Sequence, residues 1–408
     1  VDMTFRYLTP VDINEMARLF RYAFKPNKNN FEDIEIDKER DSKVATRTLG
    51  LFDDDTLKAC IMNLDYKLFL RGIWLKTAAV AAIACGPEHR RQGFITQLFS
   101  RLFRDMNKEN QFVSALYPFH YPFYEKFGYQ VAADNEIITI PTNQIKTKPV
   151  KNIKAKLVEE QEFFEAASKV YNNVVQGYNF IFHRTEDMWK QIIKNKKGFK
   201  YIFYQEEGNP VAYVILNFKK FVWKADPEDK SVIRLDEFFW ETPLAKQAVF
   251  NLLKNHDSQR KFIEIFTFDR YIHAYIKDIE SLKRQIWPGI MFRIVNAKFV
   301  LEKIHYPDSI DGSFTFSLTD NHCPWNNKIF LVEIKESSAN VNDIPHNSTA
   351  TKEIQLDFKI DIGSLSQLIA GYLNYDELVE SEDIIKYSDN QIPSKVFPVQ
   401  INSPRDFF

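Results

Sequence analysis

The sequence predicts an α/β protein in the α+β sense, with mixed central sheets in two successive domains and a third α+β domain behind them. Three observations carry this. Turn-separated, β-rich runs give way to a basic glycine loop and an amphipathic helix within residues 1–150. The same order of elements returns in 151–290, and the pattern changes again after Trp287-Pro288-Gly289. The expected division is therefore 1–150, 151–290 and 291–408, within the roughly two to four domains a chain of this length holds.

In order along the chain, Val11 to Phe24 places Ile13, Met16, Ala17, Phe20 and Phe24 at helical spacing, with Asp12 as a possible N-cap. Leu49 to Asn63 and Asp65 to Cys85 read as antiparallel strands, with hairpin turns at Asp53 to Asp55 and at Arg71-Gly72. After the loop Gly86 to Gly93 comes Phe94 to Asn107, whose Ile95, Leu98, Phe99, Leu102 and Phe103 share one helical face. Gln111 to Leu116 reads as the next strand, ahead of an aromatic loop from Tyr117 to Tyr129, and the polar, proline-bounded Ile140 to Pro149 reads as an interdomain boundary.

The second part has a helical pattern over Glu159 to Tyr171 and paired strands at Tyr201 to Phe203 and Val211 to Phe218, joined by a turn at Glu206 to Asn209. Thr242 to Lys254 is the expected counterpart of the loop-bound helix, but its entry, Glu241-Thr242-Pro243-Leu244, has no basic glycine turn. In the third part, Phe314 to Leu318, Lys328 to Ile334 and Glu353 to Ile360 read as strands, Ile362 to Tyr372 as a helix, and Ser337 to Thr351 as a loop.

Composition narrows the function. A hydrophobic share of 45% with 27% charged residues is that of a globular protein. The formal net charge of −1 leaves no basic excess for generic nucleic-acid binding. Cys60, Cys85 and Cys323 are odd in number and far apart, which suggests neither a disulfide scaffold nor a zinc cluster and fits a reducing cytoplasm. No His-Glu-x-x-His spacing points to a metal hydrolase. The longest uncharged apolar stretch, Thr77 to Cys85, is far short of the roughly 20 residues that cross a bilayer, and Val-Asp-Met-Thr-Phe-Arg at the start carries no secretory pattern.

The chemistry concentrates in Arg90 to Ile95 (RRQGFI). A glycine turn that opens a helix can hold a diphosphate, because the first N–H groups lack intrahelical acceptors and the helix dipole adds positive charge there. Gly93 allows close backbone approach, and Arg90 and Arg91 add charge-assisted contacts. A surface helix that merely begins with arginines would carry the same hexapeptide.

With their context, the runs Val80 to Ile95 (VAAIACGPEHRRQGFI) and Ser114 to Tyr129 (SALYPFHYPFYEKFGY) resemble the acetyl-CoA-binding strand-loop-helix and following strand-loop of the GNAT acetyltransferase superfamily, and more narrowly its Eis-like (enhanced intracellular survival) branch. Tyr124-Glu125-Lys126-Phe127-Gly128-Tyr129 is the most specific part. The resemblance implies tandem GNAT-like domains, the second without the cofactor loop, and a sterol-carrier-protein-like C-terminal domain. It also implies a homo-oligomer such as a hexamer. The chain departs from the superfamily at Ile95, where Gly or Ala is usual, and at Phe119-His120, where Ser-Glu is common.

By resemblance, the backbone of Ile83, Ala84 and Cys85 pairs with the pantetheine arm. Arg90, Arg91, Gln92, Gly93, Phe94, Ile95 and Thr96 hold the diphosphate, and Phe119 and His120 close the site. Direct transfer of acetyl to an amine needs no acyl-enzyme, so Cys85 reads as a small strand residue rather than a nucleophile. His89 reads as a loop residue. Tyr124 is the expected general acid, since a phenol of pKa about 10 can stabilise or protonate a departing thiolate whose thiol has a pKa near 8.5. Tyr117, Tyr121 and Tyr129 read as aromatic core.

In the Eis-like branch the terminal carboxylate serves as general base, which here is that of Phe408; its ordinary pKa of about 3.5 would need raising by burial. A frayed terminus is the plainer alternative. Phe31 to Asp41, with Glu32, Asp33, Glu35, Asp37, Glu39 and Asp41, is either acidic lining for a cationic acceptor or a solvated charged helix. The expected activity is transfer of acetyl from acetyl-CoA, without a metal, to primary amines of an aminoglycoside, a polyamine or protein lysines. The competing reading is a non-catalytic carrier that binds an apolar ligand through its C-terminal domain.

Overall fold

The computed structural model describes residues 3–24, 38–218, 231–267, 269, 271–346, 348, 354–406 and 408. The chain forms two compact units, one of Val1–Ala133, Gly289–Gln400 and Pro404–Phe408, the other of Asp134–Pro288 and Ile401–Ser403.

In the first unit β1 (Met3–Tyr7) leads to α1 (Ile13–Phe24) and α2 (Lys38–Ala45). The meander β2 (Thr48–Asp53), β3 (Thr56–Leu70) and β4 (Ile73–Cys85) follows, then α3 (Phe94–Lys108), β5 (Val113–Leu116), α4 (Tyr121–Glu125) and β6 (Gln130–Val131). The turns fall where acidic and glycine residues were expected, with Asp54 at φ 51°, Arg71 at 43° and Gly72 at 83°, the positive values that tight hairpins require. Asp12 is not the cap of α1 but the anchor of its entry: its carboxylate accepts from Arg6 at 2.7 Å and from the Thr9 N–H at 2.8 Å, tying the helix start to β1. The apolar face of α3 buries Phe94, Leu98, Phe99, Leu102, Phe103 and Met106 against the sheet. At roughly 1.5–3 kcal/mol per large side chain, that face fixes where the helix begins.

The second unit holds β7 (Asp134–Pro141), β8 (Ile153–Leu157), α5 (Glu160–Val174), the two-residue β9 (Ile181–Phe182), α6 (Glu186–Asn195), β10 (Phe199–Gln205), β11 (Pro210–Asn217), β12 (Val232–Trp240), α7 (Pro243–Lys254), β13 (Phe262–Phe266) and β14 (Lys283–Pro288). Its sheet runs β14-β7-β13-β12-β11-β10-β8.

Returning to the first unit, β15 (Met291–Ile294) precedes α8 (Ala297–Lys303) and the C-terminal sheet strands β16 (Gly312–Thr319), β17 (Lys328–Lys335) and β18 (Ser338–Pro345). Then come β19 (Phe358–Asp361), α9 (Ile362–Ala370), α10 (Tyr375–Glu380), β20 (Ile384–Lys386) and α11 (Ile392–Val396). That sheet runs β18-β17-β16-β19-β20, and stacked rings of Phe314, Phe316, Phe330 and Phe358 fill its core.

Hydrogen bonding places two segments away from the boundaries expected near 150 and 290. β7 pairs with β13 and β14, so 134–141 belongs to the second sheet. β15 pairs with β5 and β6, so 291–294 completes the first sheet, whose order is β1-β2-β3-β4-β5-β15-β6. The stretch expected as a loop, Ser337 to Thr351, contains β18, a polar edge strand whose main chain pairs with β17 from Ser338 to Pro345.

Candidate active site

The site begins with a strand that outruns its neighbour. β4 and β5 are parallel partners only from Thr77↔Val113 to Val80↔Leu116, yet β4 continues to Cys85. Where they part, β4 bulges: Cys60 faces Ala84 and Met62 faces Ala81, so the residues between are one too many, and Ala82 takes φ 44°. Beyond the bulge no strand among the described residues pairs with the β5-facing edge of β4 at 81–85, where the Cys85 carbonyl accepts from Arg90 Nε at 3.4 Å.

The loop then delivers α3. Gly86 enters a single turn at Pro87–His89, Arg91 has φ 63°, and Gly93 is the N-cap of α3 at φ 80° with no side-chain cap bond. A Cβ at Gly93 would meet nothing within 4 Å, so the backbone conformation, not crowding, calls for glycine here. The N–H groups of Phe94, Ile95 and Thr96 have no intrahelical acceptors and no cap, which makes this helix end a ready anion receptor.

Strand edge and loop share a cavity of about 700 Å³, lined by Ile83, Ala84, Cys85, Arg90, Arg91, Gly93, Phe94, Ile95, Thr96 and Phe119 together with Ala23, Phe24, His89, Phe123 and Lys126. Gln92 is not in the wall; its amide turns back to the Glu88 carbonyl at 3.2 Å. Nor is His120, which stands exposed at the start of α4. His89, expected only as a loop residue, does line the cavity. Lys126, which the sequence reading passed over, brings a further cation to its rim, its ammonium 4.3 Å from the Phe123 ring centre. Its place inside the Tyr124-to-Tyr129 phrase was the available signal.

Tyr124 sits on α4, 3% exposed, its ring edge-on to Phe119 at 5.4 Å and to Phe123 at 5.1 Å, both of them cavity residues. Burial pushes its phenol above the ordinary range, so it stays protonated at neutral pH. Burial likewise raises the Cys85 thiol, which is the wrong direction for a nucleophile. Tyr129 is buried core, its hydroxyl paired with Ser114 at 2.7 Å.

The chain end lies in the same unit. The Phe408 ring is 5.2 Å from that of Tyr66 and 5.4 Å from that of Tyr117, and the Tyr117 hydroxyl donates to the Asp406 carbonyl at 3.1 Å. Burial first, and the Asp406 carboxylate second, lift Tyr66 to about 12 and raise Tyr117 as well. Of the acidic stretch Phe31 to Asp41, residues up to 37 lie outside the described residues; Asp41 falls on α2.

The second unit has its own cavity at the head of α7, about 650 Å³, lined among others by Tyr178, Trp240, Glu241, Thr242, Lys246, Asp269 and Tyr275. There the Thr242 hydroxyl caps the Ala245 N–H at 3.1 Å, Pro243 contributes no N–H, and Lys246 pairs with Asp269.

Residues 4–132 match a family model described as an acetyltransferase (GNAT) domain, residues 181–294 match another of the same description, and residues 298–399 match a sterol carrier protein domain. Over 269 residues the chain is 23% identical to the N-acetyltransferase Eis of Mycobacterium tuberculosis and of Mycobacterium bovis, a match covering 62% of this chain. It spans 64% of the length of those relatives, just under two thirds. A GCN5-related N-acetyltransferase from Anabaena variabilis has a similar fold, with a TM-score of 0.85 at 17% identity over 100% of both chains. A probable N-acyltransferase from Enterococcus faecalis (TM-score 0.83, 22% identity) and Eis1 from Mycobacterium abscessus (0.78, 17%) are similar over 100% of both chains as well.

Proposed function

Since this chain is an Eis-like member of the GNAT acetyltransferase superfamily, we propose that its first domain binds acetyl-CoA in the cavity ahead of α3 and transfers the acetyl group to a primary amine of a polycationic acceptor. Aminoglycosides, polyamines and protein lysines are the candidate acceptors. The observation that carries the reading is the union, in one cavity, of an unpaired strand edge and an uncapped, arginine-flanked helix start. The two halves suit the two halves of the cofactor: amide groups of an extended arm can continue the β4 ladder at Ile83 to Cys85, and a diphosphate can take the donors of Phe94 to Thr96 with Arg90 and Arg91 beside them.

In the proposed reaction the amine nitrogen attacks the thioester carbonyl, a C–N bond forms and the C–S bond breaks. The departing thiolate is met by the Tyr124 hydroxyl. Because burial raises this phenol above the leaving thiol, it acts chiefly as a hydrogen-bond donor to the sulfur, and a proton it passes to the thiolate is replaced from solvent, so that the coenzyme leaves as the thiol and Tyr124 ends protonated. The carboxylate of Phe408 takes a proton from the acceptor's ammonium before attack, freeing the nitrogen lone pair; in support, Tyr66 and Tyr117 grip its ring and so fix where that group can reach. Appending one residue after Phe408 displaces the carboxylate by about 3.5 Å, beyond hydrogen-bond tolerance, and should abolish acetylation in a protein of unchanged melting temperature.

Thiol release from acetyl-CoA, followed across a panel of amines, tests the whole reading. Release with none of them, together with an apolar ligand carried through purification, would replace it with the carrier function.

A further inference from the structure

We propose that Arg293, Asp320 and His322 are positioning residues that aim Tyr124, so that β15 and, through Asp320 and His322, the sterol carrier domain together brace the acetyl-transfer site. The proposal rests on the role given to Tyr124 above.

α4 is only five residues long, too short to hold its own orientation, and its last carbonyls have no intrahelical donors. The turn that follows is tied back to it: the Phe127 N–H donates to the Tyr124 carbonyl at 2.9 Å, and the Gly128 N–H to the Glu125 carbonyl at 2.8 Å. The carbonyls of Lys126 and Phe127, pointing out of that turn, are both taken by residues far along the chain, one from the sterol carrier domain and one from β15. His322 Nε2 donates to the Lys126 carbonyl at 2.8 Å, and Arg293 Nη1 donates to the Phe127 carbonyl.

Arg293 is wholly buried on β15, its guanidinium 4.1 Å from the Phe103 ring centre, and Nη2 bonds both oxygens of Asp320 at 2.8 and 2.9 Å. Asp320, at the end of β16, is held by the N–H groups of His322 and Cys323 at 3.0 Å each and by Asn326 at 2.9 Å. The His322 ring packs 5.2 Å from that of Phe127. The fit at the turn is close: a Cβ at Gly128, whose φ is 80°, would come within 2.3 Å of Arg293 Nη1. Two cationic or polar donors thus meet the partial negative charge at the end of the helix that carries the phenol.

The decisive variants are His322→Ala, half-buried and therefore tolerable, and Asp320→Asn, each measured alone and with Tyr124→Phe. Melting temperature and acetyl-CoA affinity serve as controls. His322→Ala should lower kcat about 5- to 20-fold with KM for acetyl-CoA unchanged, His322→Gln should recover part of the loss through its own N–H, and neither variant should lower kcat further in the Tyr124→Phe background. Full activity of both single variants, or losses that simply multiply with that of Tyr124→Phe, overturns the brace while leaving Tyr124 in its role. A Tyr124→Phe protein with unaltered kcat overturns both.

Discussion

Each of the two regions that match an acetyltransferase (GNAT) domain lets one strand outrun its parallel neighbour. β4 leaves β5 at Val80 and runs on to Cys85; β12 leaves β13 at Leu235 and runs on to Trp240. Both splits hold a cavity of similar volume, about 700 and 650 Å³. What differs is the chemistry at the rim. Past its split, β4 gives the first cavity Ile83, Ala84 and Cys85, while β12 gives the second only the bulky Trp240. The helix starts differ too: α3 opens on a left-handed glycine without a cap, whereas at α7 Thr242 takes the Ala245 N–H and Pro243 has none to give. The crevice follows from strand topology, and its capacity for an anion from a few side chains at the helix entry.

The largest effect that would sharpen this contrast is chemical. Tyr124→Phe should lower kcat by about 10²–10⁴ with acetyl-CoA affinity kept, as steady-state kinetics and calorimetry would record; a kcat near that of the parent would return Tyr124 to the aromatic core.

Next comes the buried charge in the second domain. Burial alone would raise the Glu237 carboxyl, but Arg184 and Lys196 outweigh it and hold it at about 2. With the folded pKa below the unfolded one, this cluster stabilises the domain above pH about 4.5 and loses that contribution as pH falls from there toward 2. Glu237→Gln should cost about 3–5 kcal/mol by chemical denaturation at pH 7, and the penalty should shrink in acid. A pH-independent penalty would show that the pair is not ionised.

Smaller is the loop itself. Arg91→Ala with Gly93→Asp should weaken acetyl-CoA binding about 100-fold, since Asp tolerates the left-handed backbone yet sets a carboxylate against the diphosphate. Calorimetry on the parent should find one site per chain; two equivalent sites would erase the distinction between the domains. Smallest is Thr242→Ala, which should lower stability by about 1 kcal/mol through the lost cap and leave acetyl-CoA binding untouched.

Local patterns were readable where one face of an element meets one core. The α1 and α3 faces and both hairpin turns follow from spacing and residue type, whereas the site residues between Ile83 and Thr96 came from the family resemblance; of the residues it named, Gln92, whose amide is spent on Glu88, and His120 are not in the cavity wall. Strand order was not readable. Nothing local to MFRI at 291–294 marks it as a neighbour of β5, and SANVNDIP at 338–345 looks like a loop because an edge strand in the C-terminal sheet can expose polar side chains while its backbone pairs with β17. The bonds from Arg293 and His322 to the Lys126–Phe127 turn join positions far apart in sequence and had no one-dimensional signature.

β15 has a consequence for how the protein comes into being. Its four residues fill the gap between β5 and β6, yet the ribosome reaches them only after residues 134–288 of the second unit have been made. At roughly 5–20 residues per second, the nascent first domain waits on the order of ten seconds with two strand edges bare, during which the second domain can already fold. The candidate site is thus finished late in synthesis, by the same strand that brings Arg293 beneath the turn after Tyr124. A gene fragment ending at residue 133 encodes the loop, the arginines and the phenol, but not the strand that closes the sheet around them.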